Sequence, residues 1–236
     1  MDRPYVIVNV AMSLDGKIDT VTRNGATISS PEDKARVDRL RASVDAILVG
    51  GKTLLDEDPK LTVRSADLRA ERTARGLAEN PAKVGVVSVA ELDPAGAFMT
   101  AGPARRLIYT SSRAHPTHVS LLKQAGAEVH VIDGERPGLL EVLASLHAQG
   151  ICRLLVEGGG TLLAEFFRLG LVDEVSVYVA PRILGGASAP TLADGAGWPL
   201  EQAPRLRLVS AVEIDGQGGV LLHYKVESSI NTGGGS

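Results

Sequence analysis

Short continuous apolar runs recur along the chain, at 5–11 (YVIVNVA), 45–50 (DAILVG), 83–89 (KVGVVSV), 105–110 (RRLIYT), 127–132 (AEVHVI) and 152–156 (CRLLV), then at 173–180, 205–213 and 219–226. Runs of Val, Ile and Leu without polar alternation predict strands covered on both faces, as in a mostly parallel sheet. Helical patterns fall between them. Ser30 suits an N-cap, Pro31 suits the first helical position, and Glu32 and Asp33 sit where the helix dipole favours anions. That helix runs to about Val44, with Val37, Leu40 and Val44 on one face. Residues 116–125 and 138–149 are also helical in spacing and stop near Gly126 and Gly150. A further helix, Thr161 to Leu169, carries Leu162, Phe166 and Leu169 as its apolar positions and ends at Gly170. The alternation closes on two strands around the Asp215-Gly216 turn. It predicts an α/β fold with a mixed sheet, parallel through most of its width, flanked by helices and antiparallel at the C-terminal edge. Residues 52–82 and 181–204, rich in Pro, Gly, Asp and Arg, read as long loops of the kind that bind ligands. Residues 1–227 read as one domain and 228–236 (SSINTGGGS) as a flexible tail.

Composition narrows the function. The chain has 236 residues, 44% of them hydrophobic, which is enough for a substantial core. A net charge of −3 provides no global field for nucleic acid or an anionic membrane. With 3% aromatic residues there is no base-stacking surface either. Cys152 is the only cysteine, so neither an intramolecular disulfide nor a multi-cysteine zinc site is possible, and a reducing cytoplasm fits. No apolar stretch approaches the ~18 residues of a membrane span, and the N-terminus lacks the pattern of a signal peptide.

The strongest local signal for chemistry is the turn after the run 152–156, Glu157-Gly158-Gly159-Gly160-Thr161, which leads into a helix. Three glycines let backbone amides approach a phosphate, and the helix N-terminus adds partial positive charge. A plain strand-to-helix turn needing positive φ has the same pattern, and G-x-G-x-x-G is absent. Gly50-Gly51-Lys52-Thr53 resembles the end of a P-loop, but Ala46 stands where the first P-loop glycine belongs. A second Gly-rich turn, with Thr53 able to bond a cofactor, is the milder reading. Asp56, Glu57, Asp58, Leu61 and Arg64 follow, a set that could bind a ribose hydroxyl and a phosphate or simply form a solvated loop. Arg36, Arg39 and Arg41 on one helix read as mostly solvated, with Arg41 near the buried end. Asp15-Gly16 is either a turn or part of a loop lining a cleft at a strand end. His115 and His118 have H-x-x-H spacing, but Pro116 between them marks a surface turn rather than a metal site.

Taken together, Asn9 to Lys17 (NVAMSLDGK), Ile28-Ser29-Ser30, Asp58 to Arg64 (DPKLTVR), Val156 to Thr161 and Leu171 to Val175 with Gly186 resemble the riboflavin-pathway pyrimidine reductases over about residues 4–226. The stand-alone archaeal type, acting on 2,5-diamino-6-ribosylamino-4(3H)-pyrimidinone 5′-phosphate, is the most similar. The resemblance implies a dihydrofolate-reductase-like fold, a homodimer, and NADPH (or NADH) as hydride donor for reducing a ribosyl group to a ribityl chain. It places Thr53, Glu57, Val86, Gly158, Gly159, Gly160, Thr161 and Leu162 at the cofactor. Arg41, Leu61, Arg64 and Glu157 face a phosphorylated pyrimidine substrate. Glu157 is the first candidate for the chemistry, with Asn9 and Asp15 as second candidates, and Arg64 with Arg41 would clamp the 5′-phosphate. Three positions depart from the family pattern: Glu57 where Asp is usual, Val87-Ser88 where Asp-Ser is common, and Asn9 where bifunctional bacterial relatives carry Lys. Those relatives also carry a zinc deaminase domain whose H-x-E and P-C-x-x-C motifs are missing here. A deaminated pyrimidine as substrate, a dihydrofolate-reductase-like enzyme of other specificity, and a non-catalytic nucleotide-binding module remain the alternatives.

Overall fold

The structure, a computed structural model, describes residues 2–23 and 25–227; the tail expected at 228–236 lies outside them. The chain order is β1 (Tyr5–Ser13), α1 (Pro31–Ala42), β2 (Ala46–Gly50), α2 (Gly51–Glu57), α3 (Ala66–Ala74), β3 (Ala82–Val87), α4 (Ala97–Thr100), β4 (Arg106–Ser111), α5 (Pro116–Gln124), β5 (Glu128–Ile132), α6 (Leu139–Ala148), β6 (Arg153–Val156), α7 (Gly160–Arg168), β7 (Glu174–Ala180), β8 (Leu206–Glu213) and β9 (Val220–Val226). Among the described residues these strands form one nine-stranded sheet in the order β5-β4-β3-β2-β6-β1-β7-β9-β8. Pairing is parallel from β5 to β7 and antiparallel for β7–β9 and β8–β9. This is the mixed sheet, parallel through most of its width and antiparallel at the C-terminal edge, that the sequence predicts. No described helix is long and apolar enough to cross a membrane.

Alternate side chains of each central strand feed two cores. Val6, Val8 and Val10 of β1 join Leu48, Val84, Leu143 and Phe166 on one face, while Ile7 joins Ile47, Leu54 and Leu122 on the other. Both faces are therefore covered, which is why the strands read as unbroken apolar runs. Helix α7 is anchored on the first core by Leu163 and Phe166, both fully buried.

Two expectations need correction. The stretch 52–82 is not one long loop, because it holds most of α2 and all of α3, and a short α4 follows β3. These helices escape the hydrophobic pattern because α2 buries only Leu54 and α3 buries only Arg72. Arg72 donates instead to the carbonyls of Ala42, Val44 and Ala78. Helix α1 starts as expected, with Ser30 accepting from the Asp33 amide, but its buried positions are Asp33, Asp38 and Ala42 rather than an apolar stripe. The other long stretch, 181–204, contains only a 3₁₀ turn at Leu200–Gln202.

Removing the α7 anchor tests this packing. Phe166→Ala is expected to lower the free energy of unfolding by about 3–4 kcal/mol through lost burial and the cavity left behind. Urea denaturation followed by circular dichroism measures it, and a loss below about 1 kcal/mol would contradict the assigned core position.

Candidate active site

Strand β6 lies between β1 and β2, although those two are the first strands of the chain. The order of connection reverses there, and in open α/β sheets ligands bind beyond the C-terminal ends of strands at such a point. The segment leaving β6 is the glycine turn. Glu157 N donates to the Leu48 carbonyl at 3.0 Å, and Gly50 N donates to the Gly158 carbonyl at 2.8 Å, so the turn is stitched to β2. Gly158 has φ +119°, a conformation closed to other residues, and the Gly158–Gly159 peptide bond is cis. Gly160 tolerates no side chain, because a Cβ there would run into the Thr191 carbonyl oxygen.

Two cavities open on either side of this turn. The first, about 410 Å³, is lined by Gly50, Gly51, Lys52, Thr53, Val86, Gly159, Gly160, Thr161 and Leu162, with Asp19, Asp56, Glu57 and Arg136 also on its wall. Gly159 caps α7 without a side-chain hydrogen bond, so the first amides of that helix keep their capacity for an anion. The bare backbone of the glycine turn, this open helix end and the volume of the cavity fit a dinucleotide. Lys52 and Arg136 form no ion pair among the described residues.

The second cavity, about 290 Å³, is lined by Asn9, Lys34, Asp38, Arg41, Arg64, Glu157 and Gly158. Ile18, Thr53, Glu57 and Gly159 border both cavities. Partial desolvation, then the nearby Asp19 and Asp56, holds the Glu57 carboxyl above the ordinary glutamate range.

Arg41 and Glu157 form a bidentate pair, Nε to Oε1 at 2.8 Å and Nη2 to Oε2 at 2.7 Å, and their side chains are only 14% and 12% exposed. Arg41 also donates to the Thr62 carbonyl. Burial opposes its charge, but the Glu157 carboxylate more than offsets this and leaves its pKa raised. Asp38 accepts from the amides of Arg64 and Ser65 at 2.7 and 2.8 Å and fixes the backbone that carries Arg64. The Arg64 side chain is exposed and forms no ion pair among the described residues.

The structure thus brings Thr53, Glu57, Val86 and Gly158 to Leu162 together with Asn9, Arg41, Arg64 and Glu157. It separates two others. Leu61 is 1% exposed, belongs to the second core and lines neither cavity. Asp15 also lines neither: it accepts from Ser13 Oγ and the amides of Leu184 and Gly185, and the Ser13 bond is the main reason its pKa falls to about 2. It ties the loop after β1 to the loop after β7. Arg41 is engaged by Glu157 and is not a free phosphate clamp; Lys34, which sequence reading missed, is the second unpaired cation of that cavity. Its helical spacing with Asp38 and Arg41 was the available signal. Arg36, read as mostly solvated, is part-buried in a polar network with Asp33, Asn9 and Ser176. His115 Nδ1 accepts from Thr117 N at the start of α5.

Comparison with known proteins agrees with this geometry. The family model described as the RibD C-terminal domain matches residues 4–219. A 2,5-diamino-6-ribosylamino-4(3H)-pyrimidinone 5′-phosphate reductase of Archaeoglobus fulgidus is 46% identical over 82% of the chain and 87% of that protein. The protein of the same name from Methanothermobacter thermautotrophicus is 45% identical over 87% of the chain and 90% of its own length. Among solved structures, a pyrimidine reductase-like protein of Corynebacterium diphtheriae shares the fold with a TM-score of 0.81 at 21% identity, covering 96% of this chain and 93% of that one. Acinetobacter baumannii RibD gives a TM-score of 0.79 at 26% identity, covering 96% of this chain and 59% of that one.

The ion pair generates a stability prediction. Arg41→Met leaves the Glu157 carboxylate buried without its partner and is expected to cost about 3–5 kcal/mol, whereas Arg41→Met with Glu157→Leu recovers most of the loss. Paired urea denaturation curves read both values; additive losses would contradict the coupling.

Proposed function

The chain belongs to the RibD C-terminal domain family, and on that premise we propose that it reduces the ribosyl group of 2,5-diamino-6-ribosylamino-4(3H)-pyrimidinone 5′-phosphate to the ribityl chain with NADPH. The observation that carries this reading is the meeting of two cavities across Gly159. One offers a glycine turn and an open helix end, and the other offers unpaired cations beside a carboxylate. When bound in the first cavity, the dinucleotide supplies a hydride to C1′ of the ribosyl group.

The protein's own groups do the rest. Gly159 to Leu162 and Thr53 hold the cofactor, with Val86 on the wall of its cleft, whereas Gly158, expected at the cofactor, lines the second cavity. Lys52 and Arg136 favour the additional phosphate of NADPH over NADH. Arg64 and Lys34 take the 5′-phosphate through charge-assisted hydrogen bonds. Glu157 is held in one orientation by Arg41 and presents its carboxylate to the sugar and base, where it stabilises developing positive charge. Hydride addition at C1′ requires one proton, at the ring oxygen or the imine nitrogen, and Glu57 borders both cavities with a raised proton affinity. A homodimer is part of the reading, because edge strand β8 exposes Leu206, Leu208, Val209 and Val212, a surface that edge strands ordinarily keep covered. A cytoplasmic setting accords with the free, exposed Cys152.

Assaying the purified chain with the diamino and the deaminated pyrimidine phosphates, each with NADPH and NADH, tests the assignment; turnover of the diamino form with NADPH is expected. Arg64→Ala should raise KM for the phosphorylated substrate about 10- to 100-fold, the equivalent of one lost charge-assisted contact. An equal loss with a dephosphorylated substrate would contradict its role as a phosphate ligand.

A further inference from the structure

Asn9 and Ser176 face each other in the register of β1 with β7. Arg36 of α1 reaches both: Nη2 donates to Asn9 Oδ1 at 2.7 Å, and Nη1 donates to Ser176 Oγ at 3.1 Å. Its Nε donates to Asp33 Oδ1 at 2.8 Å, and Asp33 is fully buried, so the guanidinium is fixed. Guanidinium nitrogens donate and never accept. The reversed Asn9 amide would set N–H against N–H, so its oxygen must face Arg36. The amide nitrogen is thereby turned the other way. Among the described residues Asn9 Nδ2 has no hydrogen-bond partner, and it is not sealed from solvent. Asn9 lines the second cavity, as does Glu157.

We propose that Arg36 is a positioning residue that locks Asn9 as a hydrogen-bond donor toward the second cavity, so that the bound pyrimidine nucleotide must present an oxygen acceptor there, a ring carbonyl or a sugar oxygen. This rests on the second cavity being the substrate site. Arg36 acts through Asn9 and does not itself line the cavity. In a site built to donate a hydrogen bond, reversing the polarity of the donor leaves two acceptors opposed, and such mismatches discriminate strongly.

Asn9→Asp keeps the side-chain shape and still pairs with Arg36, but turns an acceptor oxygen into the cavity. Arg36→Met combined with Asp33→Asn removes the orienting donor without stranding a buried carboxylate. The experiment measures kcat/KM for the ribosylaminopyrimidine phosphate, Kd for NADPH and Tm in the wild type, in each variant and in their combination. Asn9→Asp is expected to lose about 30-fold or more in kcat/KM while Kd for NADPH changes by less than about threefold, and the Arg36/Asp33 variant to lose about two- to tenfold, because freed Asn9 amides sample both orientations. The combination should lose no more than Asn9→Asp alone, since Arg36 has nothing left to orient. Losses that multiply, or an Asn9→Asp enzyme within about twofold of wild type, overturn the inference. If Asn9→Asp does not fold, the Arg36/Asp33 variant decides: reduced kcat/KM at unchanged Tm supports the role, and unchanged kcat/KM overturns it. A wild-type chain inactive on the substrate removes the reading of the site itself, and the inference with it.

Discussion

Strand β6 ends while its neighbours continue past it, and the chain turns into α7 through glycines, Gly158 at a positive φ that only glycine adopts readily and Gly160 where a Cβ has no room. Glu157 and Gly158 are hydrogen-bonded to Leu48 and Gly50 of β2 on one side, while Gly160 is pressed against the Thr191 carbonyl on the other. This turn has two consequences. The backbone amides of α7 are left bare toward the larger cavity, and Glu157, the last residue with a side chain before the glycines, projects toward the smaller one. Two cavities therefore share one turn of chain.

Helix α1 supplies the second half of the arrangement at a cost in stability. Its inward face carries Asp33, Arg36, Asp38 and Arg41 where an ordinary surface helix would bury aliphatic residues. Buried ion pairs add little net stability compared with well-packed hydrophobes, so their presence here accords with a task other than holding the fold. Each has a distinct target: Arg41 fixes Glu157, Asp38 fixes the Arg64 backbone, and Arg36 fixes Asn9. The helix is a bar from which three groups lining the smaller cavity are oriented, and rigid support of this kind keeps a reactive geometry within tolerance.

How much of this is legible in sequence depends on the range of the interaction. The strands read correctly to within two residues at both ends, because coverage on both faces leaves continuous apolar runs such as 152–156. The glycine turn and the α1 cap are local and were equally legible. Helices α2 and α3 were not, since their inward positions are few and one of them is an arginine. The misplacement of Leu61 has a comparable origin: its neighbours mark a binding loop, while its own side chain turns into the core from a backbone with φ +48°. Arg41 and Glu157 lie 116 residues apart, and no local pattern announces their pairing. The family resemblance located both residues in the site but assigned Arg41 to a phosphate, a role that its partner forecloses.

The central claim is that the glycine turn brings a dinucleotide bound in one cavity against a ribosyl group bound in the other. The most direct test uses NADPH deuterated at the hydride-donating C4 position with the ribosylaminopyrimidine phosphate, followed by mass spectrometry and NMR of the product. The account predicts one deuterium per turnover at C1′ of the ribityl chain. Cofactor oxidation with no label at that carbon, or label introduced from deuterated water instead, would contradict it.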